Sequence, residues 1–166
     1  MAKITFKGGA VNTVGDLPKV GSKANDFVLV KGDLSDLKLS DYKGKNVILN
    51  IFPSIDTGVC ATSVRKFNKE AANLKNTVVL AVSADLPFAS GRFCTTEGIE
   101  NVIPASVFRN ADFAKEYGLL MVDGPLKGLL ARCVIIVNPE GNISYTELVP
   151  EIGQEPDYQT AINSIV

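Results

Sequence analysis

Apolar positions along the chain change period at one place. The run from Val47 to Phe52 closes at Pro53 and predicts a buried strand, because a short apolar run ended by a turn signal suits a sheet interior. Beyond five residues of turn chemistry the spacing lengthens. Cys60, Val64, Phe67, Ala71 and Leu74 stand at i, i+4, i+7, i+11 and i+14, which puts all five on one stripe of a helix. Thr77 to Val82 is again apolar and predicts a second strand, parallel to the first because a helix lies between them. The cysteine therefore starts the crossover helix of a βαβ unit, at the carboxyl end of a strand, where sites in open α/β sheets collect.

The same reading extends to both ends. Ile4 to Gly15 alternates around Gly8-Gly9 and predicts an N-terminal β-hairpin, followed by a linker from Leu17 to Gly21. Asp26 to Val30 and Leu37 to Leu39 predict short strands, and Leu39 to Gly44 a turn into the central strand. Asp85 is a candidate N-cap for a helix that has Pro87 near its start, runs toward Glu97 and stops at Gly98. Asn101 to Ser106, interrupted by Pro104, predicts an edge strand, and Asn110 to Tyr117 a helix ended by Gly118. Met121 to Leu130 predicts no regular element. Ala131 to Val137 is a third buried strand, turned by Asn138-Pro139-Glu140-Gly141 into an antiparallel strand, Ile143 to Leu148. Pro156 to Ile165 predicts a closing helix with Tyr158, Ile162 and Ile165 on its inner face. Alternating strands and helices of this kind define an α/β fold with a central mixed sheet flanked by helices.

Composition narrows the function. With 166 residues, 46% of them hydrophobic, the chain suits one domain spanning 1–166. A net charge of -1, with lysines and arginines scattered, gives no basic stripe for nucleic acid. No apolar run reaches the roughly 18 residues of a membrane span, and the start of the chain lacks a signal segment, so a cytoplasmic protein is expected. The chain has no histidine, which removes Ser-His-Asp and Cys-His activation and most mixed-ligand zinc sites. Three cysteines, an odd number without C-x-x-C, fit a reducing compartment.

Any reactive cysteine must then be activated electrostatically. With Asp56 or Thr57 as N-cap, Cys60 falls in the first helical turn, where backbone N–H groups lack intrahelical partners. Those donors and the helix dipole favour thiolate over thiol. Thr57 can aim its hydroxyl at the sulfur, and an arginine from elsewhere would complete such a site. The alternative is a small core residue that begins an ordinary amphipathic helix.

The motif decides between them. Pro53, Thr57 and Cys60 form P-x-x-x-T-x-x-C within PSIDTGVCATSVRKFN, and this resembles the active-site motif of the peroxiredoxins. With VSADLPFASGRFC from Val82 to Cys94 and GLLARCVIIV from Gly128 to Val137, nearly the whole chain resembles the atypical two-cysteine thiol peroxidase branch of that family. The resemblance implies a thioredoxin-like fold and an antioxidant enzyme that reduces hydrogen peroxide and organic hydroperoxides. It also implies recycling by thioredoxin, a homodimer, and no metal or organic cofactor. Cys60 would be the peroxidatic residue, with Pro53, Thr57 and Arg132 around the peroxide.

Alternation along the third strand puts Arg132, Val134 and Ile136 on one face and Ala131, Cys133, Ile135 and Val137 on the other. An arginine in an apolar strand needs an anion, either a carboxylate at the strand end or the Cys60 thiolate; the resemblance implies the thiolate. Cys133 sits in an apolar run, shielded from oxidant. Cys94 lies in a helix weakened by Gly91, Thr95 and Thr96, and a thiol that must reach Cys60 needs a segment that unravels. Cys94 is thus the expected resolving residue, closing an intramolecular Cys60–Cys94 disulfide.

Overall fold

The computed structural model describes residues 1–165 and resolves nine strands and four helices among them. In chain order these are β1 (Lys3–Phe6), β2 (Gly9–Asn12), β3 (Val28–Lys31), β4 (Asp36–Lys38), β5 (Asn46–Ile51), α1 (Gly58–Ala71), β6 (Thr77–Ser83), α2 (Pro87–Glu97), β7 (Ile103–Ser106), α3 (Phe113–Glu116), β8 (Cys133–Val137), β9 (Ile143–Leu148) and α4 (Tyr158–Asn163). β1 and β2 form a separate hairpin, and the other seven strands form one sheet in the order β4-β3-β7-β6-β5-β8-β9. β5, β6 and β7 are parallel, while β8 runs antiparallel to β5 and β3 antiparallel to β7. The sheet is mixed, as the sequence predicts.

Two apolar layers cover it. Ile48, Phe52, Val134 and Ile136 face the stripe Cys60, Val64 and Phe67 of α1, with Phe93 of α2 and Tyr158 and Ala161 of α4 joining them. The opposite face packs Leu49, Ile51, Cys133, Ile135 and Val137 against Phe113, Ala114 and Tyr117 around α3. The alternation assigned to the third strand is therefore the observed one, apart from Ala131, which packs with the hairpin residues Ile4 and Val11.

Several boundaries differ from expectation, each for a local reason. α1 ends at Ala71, so Leu74 joins the core from the following loop. Ala131 and Arg132 precede β8 and bond instead to Leu119 and Val149 of neighbouring loops. α3 starts at Phe113 because the Asn110 side chain accepts from the Phe113 N–H and holds residues 110–112 in a turn. α4 spans only Tyr158–Asn163, since the Asp157 side chain caps it by accepting from Thr160 N–H. Leu39–Tyr42 is a short 3-10 turn.

Two corrections concern the site. β7 is interior, between β6 and β3, although it contains Pro104. Its pairing with β3 reaches only Ala105 and Ser106, so the missing N–H of Pro104 lies where β3 has already ended. Asp85 does not cap α2; Leu86 occupies the N-cap, with Pro87 at the first helical position. The Asp85 carboxylate is engaged elsewhere, as described below. The stops at Gly98 and Gly118 hold, with φ of 63° and 70°. At Gly118 a Cβ would lie 2.1 Å from the Asp16 carbonyl oxygen, so no other residue fits.

Candidate active site

β5 delivers the chain to Phe52, and buried Pro53 turns it outward into residues 54–57. Thr57 takes the N-cap of α1, with extended φ of -103° and ψ of 145°, but its hydroxyl makes no capping bond. It lies 2.6 Å from the Cys60 sulfur and 3.1 Å from the Ser54 carbonyl oxygen. A hydroxyl has one proton, so it donates to a thiolate or, when the thiol keeps its own proton and donates it to Thr57, to Ser54. The first intrahelical bond runs from Ala61 N–H to Thr57 O. The N–H groups of Gly58, Val59 and Cys60 therefore have no acceptor among the described residues and leave an electropositive end beside the sulfur.

Arg132 reaches the same sulfur from the sheet. Its Nη2 donates to Cys60 Sγ at 3.3 Å and its Nε to the Ile152 carbonyl oxygen at 2.8 Å. Arg132 is 2% exposed, and no carboxylate lies within 4 Å of its charged nitrogens among the described residues. A buried guanidinium without a partner is expensive. The group its Nη2 meets is the Cys60 sulfur, while the Glu155 carboxylate lies beyond ion-pair distance yet near enough for Arg132 to help hold its pKa down. The carboxylate partner considered from sequence is thus replaced by sulfur. Thr57, Cys60 and Arg132 are brought together, with Pro53 at the base of the loop that leads to Thr57 and Cys60.

The other two thiols are differently placed. Cys133 is fully buried on the far face of the sheet, where desolvation and the Glu147 carboxylate push its pKa upward and keep it protonated. Cys94 is half-buried on α2, and burial raises its pKa as well. It makes no contact with Cys60 sulfur, and all three cysteines are unpaired. α1 and α2 do meet farther along, where Arg65 bonds Glu97 at 2.8 Å and stands 5.6 Å from the Phe93 ring centroid.

Sequence reading missed the supports of this arrangement. Ser63 Oγ donates to the Cys60 carbonyl oxygen at 2.8 Å and receives Asn50 Nδ2 at 3.1 Å, which ties the first turn of α1 to β5. An asparagine inside an apolar strand was the one signal available. The Ile152 carbonyl offers no such signal, because a backbone oxygen has no identity in the sequence. A cavity of about 390 Å³ lies at the opposite end of the sheet, lined by residues such as Lys23, Tyr42, Lys45 and Glu140, and holds none of the cysteines.

A thioredoxin-like sheet that presents a buried cysteine at a helix start, held between a threonine hydroxyl and an arginine, defines a thiol-based redox enzyme. Comparison with known proteins agrees. The Redoxin family model matches residues 19–162. A thiol peroxidase of Mycobacterium tuberculosis is 54% identical over 165 residues, covering 99% of each chain, and one of Corynebacterium glutamicum is 53% identical over the same span. The crystal structure of a peroxiredoxin-like protein from Aquifex aeolicus superposes with a TM-score of 0.93 at 42% identity, covering 98% of this chain and 95% of that one. The chain belongs to the Redoxin family, as a peroxidase of the thiol peroxidase group.

Proposed function

We propose that the protein reduces hydrogen peroxide and organic hydroperoxides through Cys60 as peroxidatic thiolate and Cys94 as resolving thiol, as one domain acting in antioxidant defence. The observation that carries this reading is the convergence of the Thr57 hydroxyl and the Arg132 guanidinium on one sulfur. Both donors stabilise a thiolate and, with peroxide bound, the oxygen that takes up charge.

In the first step Cys60 thiolate attacks the terminal oxygen of ROOH. The O–O bond breaks, the S–O bond forms, and alkoxide or hydroxide leaves and is protonated to alcohol or water. Cys60 becomes a sulfenic acid. The Cys94 thiol then displaces hydroxyl from that sulfur, giving water and a Cys60–Cys94 disulfide. This step needs the Cα atoms within about 7 Å. Cys60 is fully buried and Cys94 is unpaired on another helix, and in this reading α2 or the first turn of α1 opens to bring them together. A dithiol protein restores both thiols by exchange and is itself oxidised to a disulfide. The thiol peroxidase relatives support a thiol-protein reductant. Thioredoxin is the one proposed, with hydroperoxides as the oxidising substrates, no nucleic-acid or membrane partner, and a cytoplasmic homodimer as the working form. No described helix is long and apolar enough to cross a membrane.

One equivalent of peroxide, followed by peptide mapping without reductant, tests the cysteine roles. The expected product is an intramolecular Cys60–Cys94 bond. A Cys60–Cys133 bond, or an intermolecular bond alone, refutes the role of Cys94.

A further inference from the structure

Asp85 lies where three parallel strands end. Its Oδ1 accepts from Ser54 Oγ at 2.7 Å, and its Oδ2 accepts from Ile55 N–H at 2.7 Å and from Ser83 Oγ at 2.7 Å. Its own carbonyl oxygen accepts from Ser106 Oγ at 2.5 Å. Ser54 and Ile55 belong to the loop after β5 that leads to Thr57 and Cys60; Ser83 ends β6 and Ser106 ends β7. Asp85 itself stands two residues before Pro87, the first residue of α2, which carries Cys94. One side chain therefore joins the loop of the oxidisable thiol to the root of the helix of the second thiol.

We propose that Asp85 is a positioning residue that holds the 54–57 loop in place for the peroxide step and must let go for the disulfide step. The inference rests on the peroxidase reading above. Thr57 contacts the sulfur only while its loop is docked, and that loop has two side-chain-mediated anchors on Asp85, at Ser54 and Ile55. Charge-assisted hydrogen bonds to a carboxylate are the stronger kind, so this is a firm clasp. It is also a local one. For the clasp to let go, opening of the α2 root extends back to Asp85 and breaks its bonds to Ser83 and Ser106 as well, which frees the Cys60 loop at the moment when Cys94 has to approach.

A residue with this role acts oppositely on the two steps. With Asp85→Ala, oxidation of Cys60 by hydrogen peroxide should slow by about ten- to a hundredfold, as expected when a catalytic donor is misplaced. Disulfide formation from the sulfenic acid should hold its rate or quicken several-fold. Asp85→Asn keeps an acceptor for Ile55 N–H and a polar partner for Ser54, so it should fall between wild type and alanine. Ser54→Ala removes one anchor and leaves the α2 root untouched, so it should reproduce a milder form of the first effect.

Rapid chemical quench with hydrogen peroxide, trapping sulfenic acid and free thiols at set times and quantifying peptides, separates the steps. Circular dichroism melts check that each variant is folded. Slowing of the first step with an unslowed second step, graded wild type, Asn, Ala, supports the clasp. Equal slowing of both steps in proportion to lost melting temperature, or an unchanged first step, overturns it. A wild-type protein that forms no Cys60 sulfenic acid overturns the peroxidase reading as well, whereas normal wild-type chemistry with a neutral Asp85→Ala overturns the clasp alone.

Discussion

α1 and α2 lie on the same face of the sheet and carry the two thiols proposed to work together, Cys60 and Cys94, yet they are held very differently. α1 buries Cys60, Ala61, Ser63, Val64 and Phe67 and ties its first turn to β5 through Ser63 and Asn50. α2 buries only Pro87 and Ser90, has glycine at its fifth position, and leaves Phe88 66% exposed. Burial of large apolar groups contributes roughly 1.5–3 kcal/mol each, so the difference sets a firm helix beside a loose one. The contrast assigns each helix a part. In the proposed mechanism the attacking sulfur is in place before peroxide arrives, and the resolving sulfur leaves its place afterward.

The sharpest way to break the comparison is at the firm end. Arg132→Ala removes a donor from the sulfur and leaves the Ile152 carbonyl without its guanidinium partner. Peroxide consumption with a dithiol reductant should fall by about 10² to 10³, the range for loss of one charge-stabilising donor at a reacting centre. Arg132→Lys keeps the charge but loses the fork that serves sulfur and carbonyl together, so it should recover only part of the rate. Steady-state peroxide depletion checks both variants, with circular dichroism to confirm the fold. Unchanged turnover in Arg132→Ala removes the arginine from the site.

The loose end responds to pH. Burial raises the Cys94 pKa, so the folded helix favours the protonated thiol more than the opened segment does. Between the ordinary thiol value of about 8.5 and the higher folded value, the opened segment binds fewer protons than the folded one, so the local stability of α2 falls as pH rises through that window. The nucleophilic thiolate of the opened segment also increases by about tenfold per pH unit below about 8.5. Both effects have one sign: disulfide formation from preformed Cys60 sulfenic acid should accelerate from neutral pH toward pH 9. Single-turnover peptide quantification at several pH values measures it, and a flat profile would mean that Cys94 does not limit the step.

What could be read from the chain follows the same division between local and nonlocal causes. The α1 stripe, the turn at Asn138-Pro139-Glu140-Gly141 and the opposed faces of Arg132 and Cys133 are matters of period, and period is written in neighbouring residues. Motif resemblance then supplied what period does not, the pairing of Arg132 with Cys60 across 72 positions of sequence. Asp85 was misread because an aspartate just ahead of a proline-led helix has the chemistry of a cap, and only the folded sheet shows Ser54, Ile55 and Ser83 closer to it than the helix end. β7 departs from the expected edge position for a related reason. Pro104 speaks for an edge, but strand order is set by pairing at a distance, and the short overlap with β3 leaves the proline nothing to disrupt.

The finest test firms the loose helix without touching chemistry. A Cβ built on Gly91 meets nothing within 4 Å, and its backbone is ordinary helix, so Gly91→Ala introduces no clash. Alanine should stabilise the α2 interior by about 1 kcal/mol relative to glycine. In the proposed mechanism opening of α2 precedes attack by Cys94, so that gain lowers the open fraction and should slow disulfide formation about fivefold, while oxidation of Cys60, which needs no opening, keeps its rate. Rapid-quench peptide analysis reads the two steps separately. Should the variant form its disulfide at the wild-type rate, the helix would not be what yields, and the opening would have to lie in the first turn of α1, where Ser63 and Asn50 hold Cys60 to the sheet.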